Sequence, residues 1–379
     1  MTHQGLLVRR CLNDLVRRVS QMSRIESDAG NLEEVTLTHD EAVLMRGLCA
    51  EAVNALGDAD LSTQAAMTTV ELIGCRLPER LVAALVSFRC TSSSSGALLV
   101  RNVPVDERLP ATPTDGYLAD WRSVGIATAA QLMVMSHLGD IIGYTDEKHG
   151  RVVQDVAPIA GAERQQENSG SAYLELHTEN GFHPYKPDFL SLLCLRPDHD
   201  RSGHTLTGTV QRVQPRLSES GVATLRRPLF RIRFSSSFVQ HGSSGYSEPV
   251  AVLSGPVDDP ELTADFHAME PMTDEARQAL DELEAVLTPS LASVVLDTGS
   301  LLVVDNWRAV HGRTSFTARH DGTDRWLRRC FAVADLRRSR GVRPPGSRVL
   351  APLTTILADR PTAPASTPLA GVTRSVSAR

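Results

Sequence analysis

The rhythm of apolar and polar positions changes near residue 140. Before that point apolar residues recur at helical intervals. Leu44, Leu48, Ala52 and Leu56 follow one another every four positions, close to one helical face. Thr38 or Asp40 is placed to cap this helix, which runs through Glu41 to Leu56. A second helix is predicted over Leu77 to Phe88, with Leu81, Val82, Leu85 and Phe88 on one side, and a third over Ile126 to Leu138. Leu7 to Val19 is a short candidate helix in an otherwise polar start. The serines Ser92 to Ser95 break the pattern, and GALLVRNVPVD after them reads as a strand and a turn.

From Ile141 onward, short apolar runs alternate with Gly, Pro, Asp and Ser turns: FLSLLCLR, LFRIRFSS, VAVLSG, ASVVLDTGSLLVVDNW and RWLRRCFAVADL. This is the texture of a β-rich barrel or sandwich. One helix interrupts it. Thr273 caps it, Asp274 and Glu275 occupy its first turn, and Ala276, Leu280, Leu283 and Leu287 form its apolar stripe. The chain therefore divides into a helical segment packed on the core (1–94), a catalytic domain (95–348) and a Pro-, Ala-, Ser- and Thr-rich tail, partly disordered (349–379). The Ser- and Gly-rich stretch 234–248 reads as a lid.

Composition narrows the function classes. The 379 residues carry a net charge of −6 and no dominant basic stripe, so nucleic acid is not the expected partner. No apolar run reaches the roughly 18 residues of a membrane span, and the charged N-terminus lacks a signal-peptide pattern. A cytoplasmic location is expected. The six cysteines lack metal-ligand spacing and read as reduced, mostly buried thiols.

The candidate chemistry lies in LELHTENGFHPYKPDF. There His177 and Glu179 are separated by one residue, and on a strand both would point to one face. They make two thirds of a two-histidine, one-carboxylate set, which leaves positions open on Fe(II) for a keto acid and O2. By itself His-x-Glu is a weak signal. The third donor is sought downstream, where VVLDTGSLLVVDNWRAVHGRTSF gives strand, turn at Gly299, strand, then His311. Arg325, just before WLRRCFAV, offers a fork of donors that suits the far carboxylate of a keto acid. His183 beside Pro184 reads as a loop residue, and His199 and His204 as solvent-facing. A zinc hydrolase would prefer His-Glu-x-x-His or cysteine ligands, and neither occurs.

In their order and spacing, EKHGRVVQDVAP, LELHTENGFHPYKPDFLSLLCLR, LLVVDNWRAVHGR and DRWLRRCFAV resemble the clavaminate synthase-like Fe(II)/2-oxoglutarate dioxygenases over about residues 95 to 345. Within that branch the chain is most similar to bacterial hydroxylases of free arginine, asparagine, citrulline and lysine from peptide-antibiotic pathways. The resemblance implies a mainly β fold with packed helices around a double-stranded β-helix, or jelly-roll, core. It implies His177, Glu179 and His311 as iron ligands and Arg325 as the 2-oxoglutarate arginine. It also implies Thr205 or Thr207 at the other end of that cosubstrate, with the spacing favouring Thr205. Arg329 falls where the amino-acid carboxylate is bound, and Glu179 also faces the α-ammonium. Lys148, with Glu147 beside it, stands where relatives hold a substrate-contacting glutamine. Asp265 and Thr263 stand where arginine hydroxylases hold two aspartates.

These features predict hydroxylation at Cβ or Cγ of a free L-amino acid with a long polar side chain. A single aspartate suits a neutral ureido group at least as well as a cation, so citrulline is placed ahead of arginine, with lysine third. The alternatives are a desaturase or cyclase with the same cofactors, and a non-enzymatic jelly-roll binding module. The missing glycine-rich phosphate loop predicts no nucleotide, flavin or nicotinamide requirement.

Overall fold

Two sheets face each other, and helices cover the outer face of the larger one. The computed structural model describes residues 32–166, 170–239 and 245–359. The strands of the two sheets are β1 (Glu33–Thr36), β2 (Ala97–Arg101), β3 (Asp140–Tyr144), β4 (Val153–Val156), β5 (Leu174–His177) and β6 (Phe189–Arg196). They continue as β7 (Thr205–Thr209), β8 (Ala292–Val294), β9 (Leu301–Asp305), β10 (Ala309–Arg313), β11 (Trp326–Val333) and β12 (Val349–Leu350). The larger sheet has the order β1-β2-β9-β6-β11-β3-β12, and β4 also pairs with β11. The smaller has the order β8-β7-β10-β5. This is the expected double-stranded β-helix.

Alternation along each strand separates two cores. Leu98, Val100, Leu193, Leu301, Val303, Trp326 and Cys330 face the helices. Leu99, Leu192, Leu302, Val304, Leu327 and Phe331 face the smaller sheet, where Leu176, Leu206 and Val310 meet them. The near-continuous apolar runs in the sequence are thus central strands buried on both faces.

The longer helices are α1 (His39–Leu56), α2 (Gln64–Gly74), α3 (Glu79–Thr91), α4 (Gly125–Ser136) and α5 (Asp274–Leu287). Thr38 caps α1, and Glu41 completes a capping box by accepting from the Thr38 backbone amide. Thr273 caps α5, whose buried stripe includes Ala276, Leu280, Leu283 and Leu287. Leu44 is exposed, contrary to the four-residue reading, because a spacing of four overruns the 3.6-residue turn. The face that packs is Met45, Leu48, Cys49, Ala52 and Leu56.

The sequence reading missed α2 and the edge strand β1, which pairs in parallel with β2. The segment assigned to the tail opens as β12, pairs in parallel with β3 and continues into a helix over Leu353–Ala358. The candidate helix Leu7 to Val19 lies outside the described residues, as do the middle of the lid stretch and the tail beyond 359. Cys49, Cys194 and Cys330 are buried free thiols, whereas Cys75 and Cys90 are exposed. No helix among the described residues is long and apolar enough to cross a membrane.

Candidate metal centre

His177 closes β5, and the antiparallel register sets it opposite His311 on β10. A β-bulge lies between His311 and Arg313. Glu179 is not on the strand, as simple alternation required. It lies in the turn that follows, where Asn306 takes over the positioning. The Glu179 amide donates to Asn306 Oδ1 at 2.8 Å, and Asn306 Nδ2 donates to the Glu179 carbonyl at 2.9 Å. The donor atoms of His177, Glu179 and His311 lie within 4.8 Å of one another. His311 Nε2 is 3.5 Å from Glu179 Oε2.

The protonation states suit a metal. Burial and the neighbouring His177 lower the pKa of His311 to about 4, which leaves it neutral and able to coordinate near pH 7. Burial alone would raise Glu179. The Arg329 guanidinium reverses this and holds the carboxyl well below the usual range. His177 Nδ1 lies 2.8 Å from the Glu175 carbonyl, so Nε2 is the nitrogen turned to the other two ligands.

Next to this cluster lies a buried region with unmatched polar groups. Thr205 Oγ1 and Thr207 Oγ1 are buried without hydrogen bonds among the described residues. On β7, Thr207 stands opposite His311 and Thr205 opposite Arg313. Arg325 is 5% exposed, beside the Phe316 ring. Its electrostatic neighbour Asp198 accepts from the backbone amides of Ser202 and Gly203, so both carboxylate oxygens are already engaged. Buried hydroxyls and a buried guanidinium close to two imidazoles and a carboxylate fit Fe(II) with a chelating keto acid.

Arg329 lies on the same side. It donates from Nη1 to Glu179 Oε1 at 3.0 Å and from Nε to Gln154 Oε1 at 3.1 Å, and it pairs with Glu147. Glu147 is therefore the residue of its segment that reaches the site. Lys148, singled out from the sequence, turns its ammonium to the Gly116 carbonyl, over the Tyr117 ring. Left-handed backbone at Lys148 and His149 accompanies this turn.

The backbone of Asp265 pairs with that of His177 in an isolated antiparallel β-bridge, and its Oδ1 accepts from the amides of His267 and Ala268. Thr263 Oγ1 accepts from Lys186 Nζ at 2.8 Å. Sequence reasoning named Glu147 only as the neighbour of Lys148 and missed Gln154 and Asn306, although all three lie inside the motifs quoted above. His183 is buried against Tyr144 and lies outside the cluster. His199 and His204 are half-buried rather than solvent-facing, near Asp321 and Ser293 respectively.

Comparison with known proteins agrees with this geometry. Residues 94–331 match the family described as "Taurine catabolism dioxygenase TauD, TfdA family", and the chain belongs to that family. It is an Fe(II)- and 2-oxoglutarate-dependent oxygenase that uses O2. It is 44% identical over 268 residues to an L-asparagine oxygenase of Streptomyces coelicolor, covering 70% of this chain and 79% of that one. An L-lysine 3-hydroxylase of Catenulispora acidiphila is 35% identical over 285 residues, covering 74% and 79%. Among solved structures, asparagine oxygenase in complex with Fe(II), 2S,3S-3-hydroxyasparagine and succinate superposes with a TM-score of 0.79 at 39% identity. That match covers 84% of this chain and 99% of the other.

Proposed function

We propose that this protein hydroxylates a free L-amino acid whose side chain ends in a neutral amide-type group. The observation that carries this reading is Arg329, a buried guanidinium 3.0 Å from the carboxylate of Glu179. A cation fixed beside a metal ligand suits an α-carboxylate, and it brings Cβ near the oxidising centre. Glu147, on the far side of Arg329, is the proposed acceptor for the α-ammonium, with Glu179. The side-chain end is assigned to Asp265, whose Oδ1 is held by two backbone amides.

A guanidinium or ammonium would need denser carboxylate partners than this. The Thr263 hydroxyl is also taken up by Lys186. A carboxamide needs only ordinary hydrogen bonds. Similarity to an L-asparagine oxygenase supports the same choice, so asparagine is placed first, ahead of citrulline, with arginine and lysine after them.

His177, Glu179 and His311 would hold the iron. Arg325 would pair with the far carboxylate of 2-oxoglutarate, and the Thr205 or Thr207 hydroxyl would donate to the other end of that cosubstrate. When bound, iron and 2-oxoglutarate supply the oxidation, which consumes O2, releases carbon dioxide and succinate and leaves one oxygen atom on the amino acid. The surrounding residues orient the substrate and exclude water.

Incubation with Fe(II), 2-oxoglutarate and a panel of amino acids, read by mass spectrometry, tests this. Asparagine should gain one oxygen atom fastest. Gain of oxygen only by arginine or lysine would overturn the side-chain assignment. Loss of two hydrogens without oxygen gain would point to the desaturase alternative.

A further inference from the structure

Strand β11 divides two chambers. Arg329 points between the sheets with Leu327 and Phe331, and Arg328 points to the helix-covered face with Trp326 and Cys330. On the Arg328 side a cavity of about 330 Å³ opens between the sheet, the 59–62 loop and the 118–121 loop. Its walls include Leu61, Leu118, Trp121 and Val153, and Ala119 lies exposed among them. The lining includes neither Arg325, Arg329 nor any of the three metal-binding side chains.

Arg328 is 2% exposed, yet its Nε and Nη1 make no hydrogen bond among the described residues. Asp155 balances the charge as an ion pair but gives neither donor a hydrogen bond. Asp155 Oδ1 lies 3.4 Å from Arg328 Nε, but it accepts from Trp326 Nε1 at 3.0 Å, and Oδ2 accepts from the Leu118 amide at 2.9 Å. Arg151 adds a second guanidinium to the lining and donates to the Leu118 carbonyl at 2.7 Å. A buried guanidinium with open donors is costly unless an acceptor meets it. Its planar fork matches a carboxylate. Leu61, Leu118, Trp121, Val152, Val153 and Val349 give the cavity an apolar side for the body of a small organic ligand, while Asp60, Ser62, Thr145 and His149 make the rest of the lining polar.

We propose that this cavity is a second ligand site for a small organic carboxylate with an apolar body. The carboxylate pairs with Arg328, and the apolar part lies against Trp121, Leu61 and Leu118. The site stands behind the catalytic chamber, one strand away, and its occupancy is independent of 2-oxoglutarate.

Calorimetric titration of the full chain tests this, with benzoate as the probe and benzamide as its neutral counterpart. The titration is run anaerobically with Fe(II), 2-oxoglutarate and a saturating amino-acid substrate already bound, so that the catalytic chamber, including the carboxylate position at Arg329, is filled. Benzoate should still bind, and benzamide should not. Arg328→Lys keeps the charge and loses the fork, and should weaken benzoate by about tenfold or more. Because Arg328 is buried and its variant can fail to fold, Ala119→Trp provides an independent check. It narrows the cavity from an exposed position and should weaken benzoate about as much, with 2-oxoglutarate binding unchanged. The proposal is overturned if benzoate gives no binding heat, if benzamide binds equally, if 2-oxoglutarate displaces benzoate, or if Ala119→Trp binds it at wild-type strength.

Discussion

His177 and His311 stand directly opposite each other on antiparallel strands, with ring centroids 4.3 Å apart. A gap of more than a hundred residues closes at this one cross-strand pair. A slip of one residue in register would turn one imidazole to the other face of the sheet.

Replacing either histidine by alanine should therefore abolish metal-dependent succinate formation. The fold should persist, because both side chains lie at a polar centre and outside the two apolar cores. Succinate assay and circular dichroism together check this, and full activity in both variants would refute the ligand assignment.

Gly312 sits inside the bulge next to His311. A Cβ there would lie 2.6 Å from the Leu174 carbonyl, a backbone atom that cannot swing away. Gly312→Ala should push β5 from β10 and separate the two imidazoles. Iron affinity should fall by about tenfold or more, in the range seen when ligand orientation is disturbed. Unchanged iron binding by titration would contradict this.

Arg325→Lys keeps a positive charge but loses the bidentate fork. The KM for 2-oxoglutarate should rise by roughly ten- to a hundredfold, the loss of one charge-assisted hydrogen bond. The KM for the amino acid should change little. If the 2-oxoglutarate constant stays the same, another residue holds that carboxylate.

Glu147→Gln removes the charge that pairs with Arg329 on the side away from Glu179. The KM for the amino acid should rise several-fold with a smaller change for 2-oxoglutarate. Steady-state kinetics with each substrate varied in turn separate the two effects, and equal changes in both would point to general loosening of the site.

Lys186 makes a pH prediction away from the metal. Burial lowers its pKa to about 7 from 10.5, against the opposing pull of Glu261, Asp188 and Asp305. The unfolded chain keeps this proton up to about pH 10.5, and the folded chain releases it near 7. Between those values the unfolded state binds more protons, so this group makes stability rise with pH across that window. Below pH 7 the penalty of the buried ammonium is fully present. Lys186→Met should raise the Tm by a few degrees at pH 6 and by less at pH 10, net of the lost bond to Thr263. An equal shift at both values would show that the lysine is not titrating in this range.

The sequence made the ligand types and the strand-rich core readable for identifiable reasons. His177, His311 and Arg325 each adjoin an apolar run, and alternation or a following turn marks where such runs end. Glu179 was named correctly, but its position depends on Asn306, which is more than a hundred residues away and carries no local periodic signal. That Glu147 rather than Lys148 faces Arg329 was not readable, because two left-handed residues turn the backbone there and neither is a glycine to announce it. β1 and β12 were missed because edge strands of two to four residues are too short to show alternation. They become strands by pairing with β2 and β3, which is tertiary context.

β11 is hydrogen-bonded along its length to β6 on one side and to β3 and β4 on the other. A segment so enclosed opens only when the whole domain does, so its amides should be among the slowest to exchange with deuterated water. Arg329 rides on that strand and Arg325 immediately precedes it. The two guanidinium groups, proposed above to anchor cosubstrate and substrate, therefore keep a fixed separation while the connecting segments around them change. In laboratory evolution, new amino-acid preferences should then accumulate in the 263–268 segment and around Glu147, and variants that alter β11 should lose cosubstrate and substrate together.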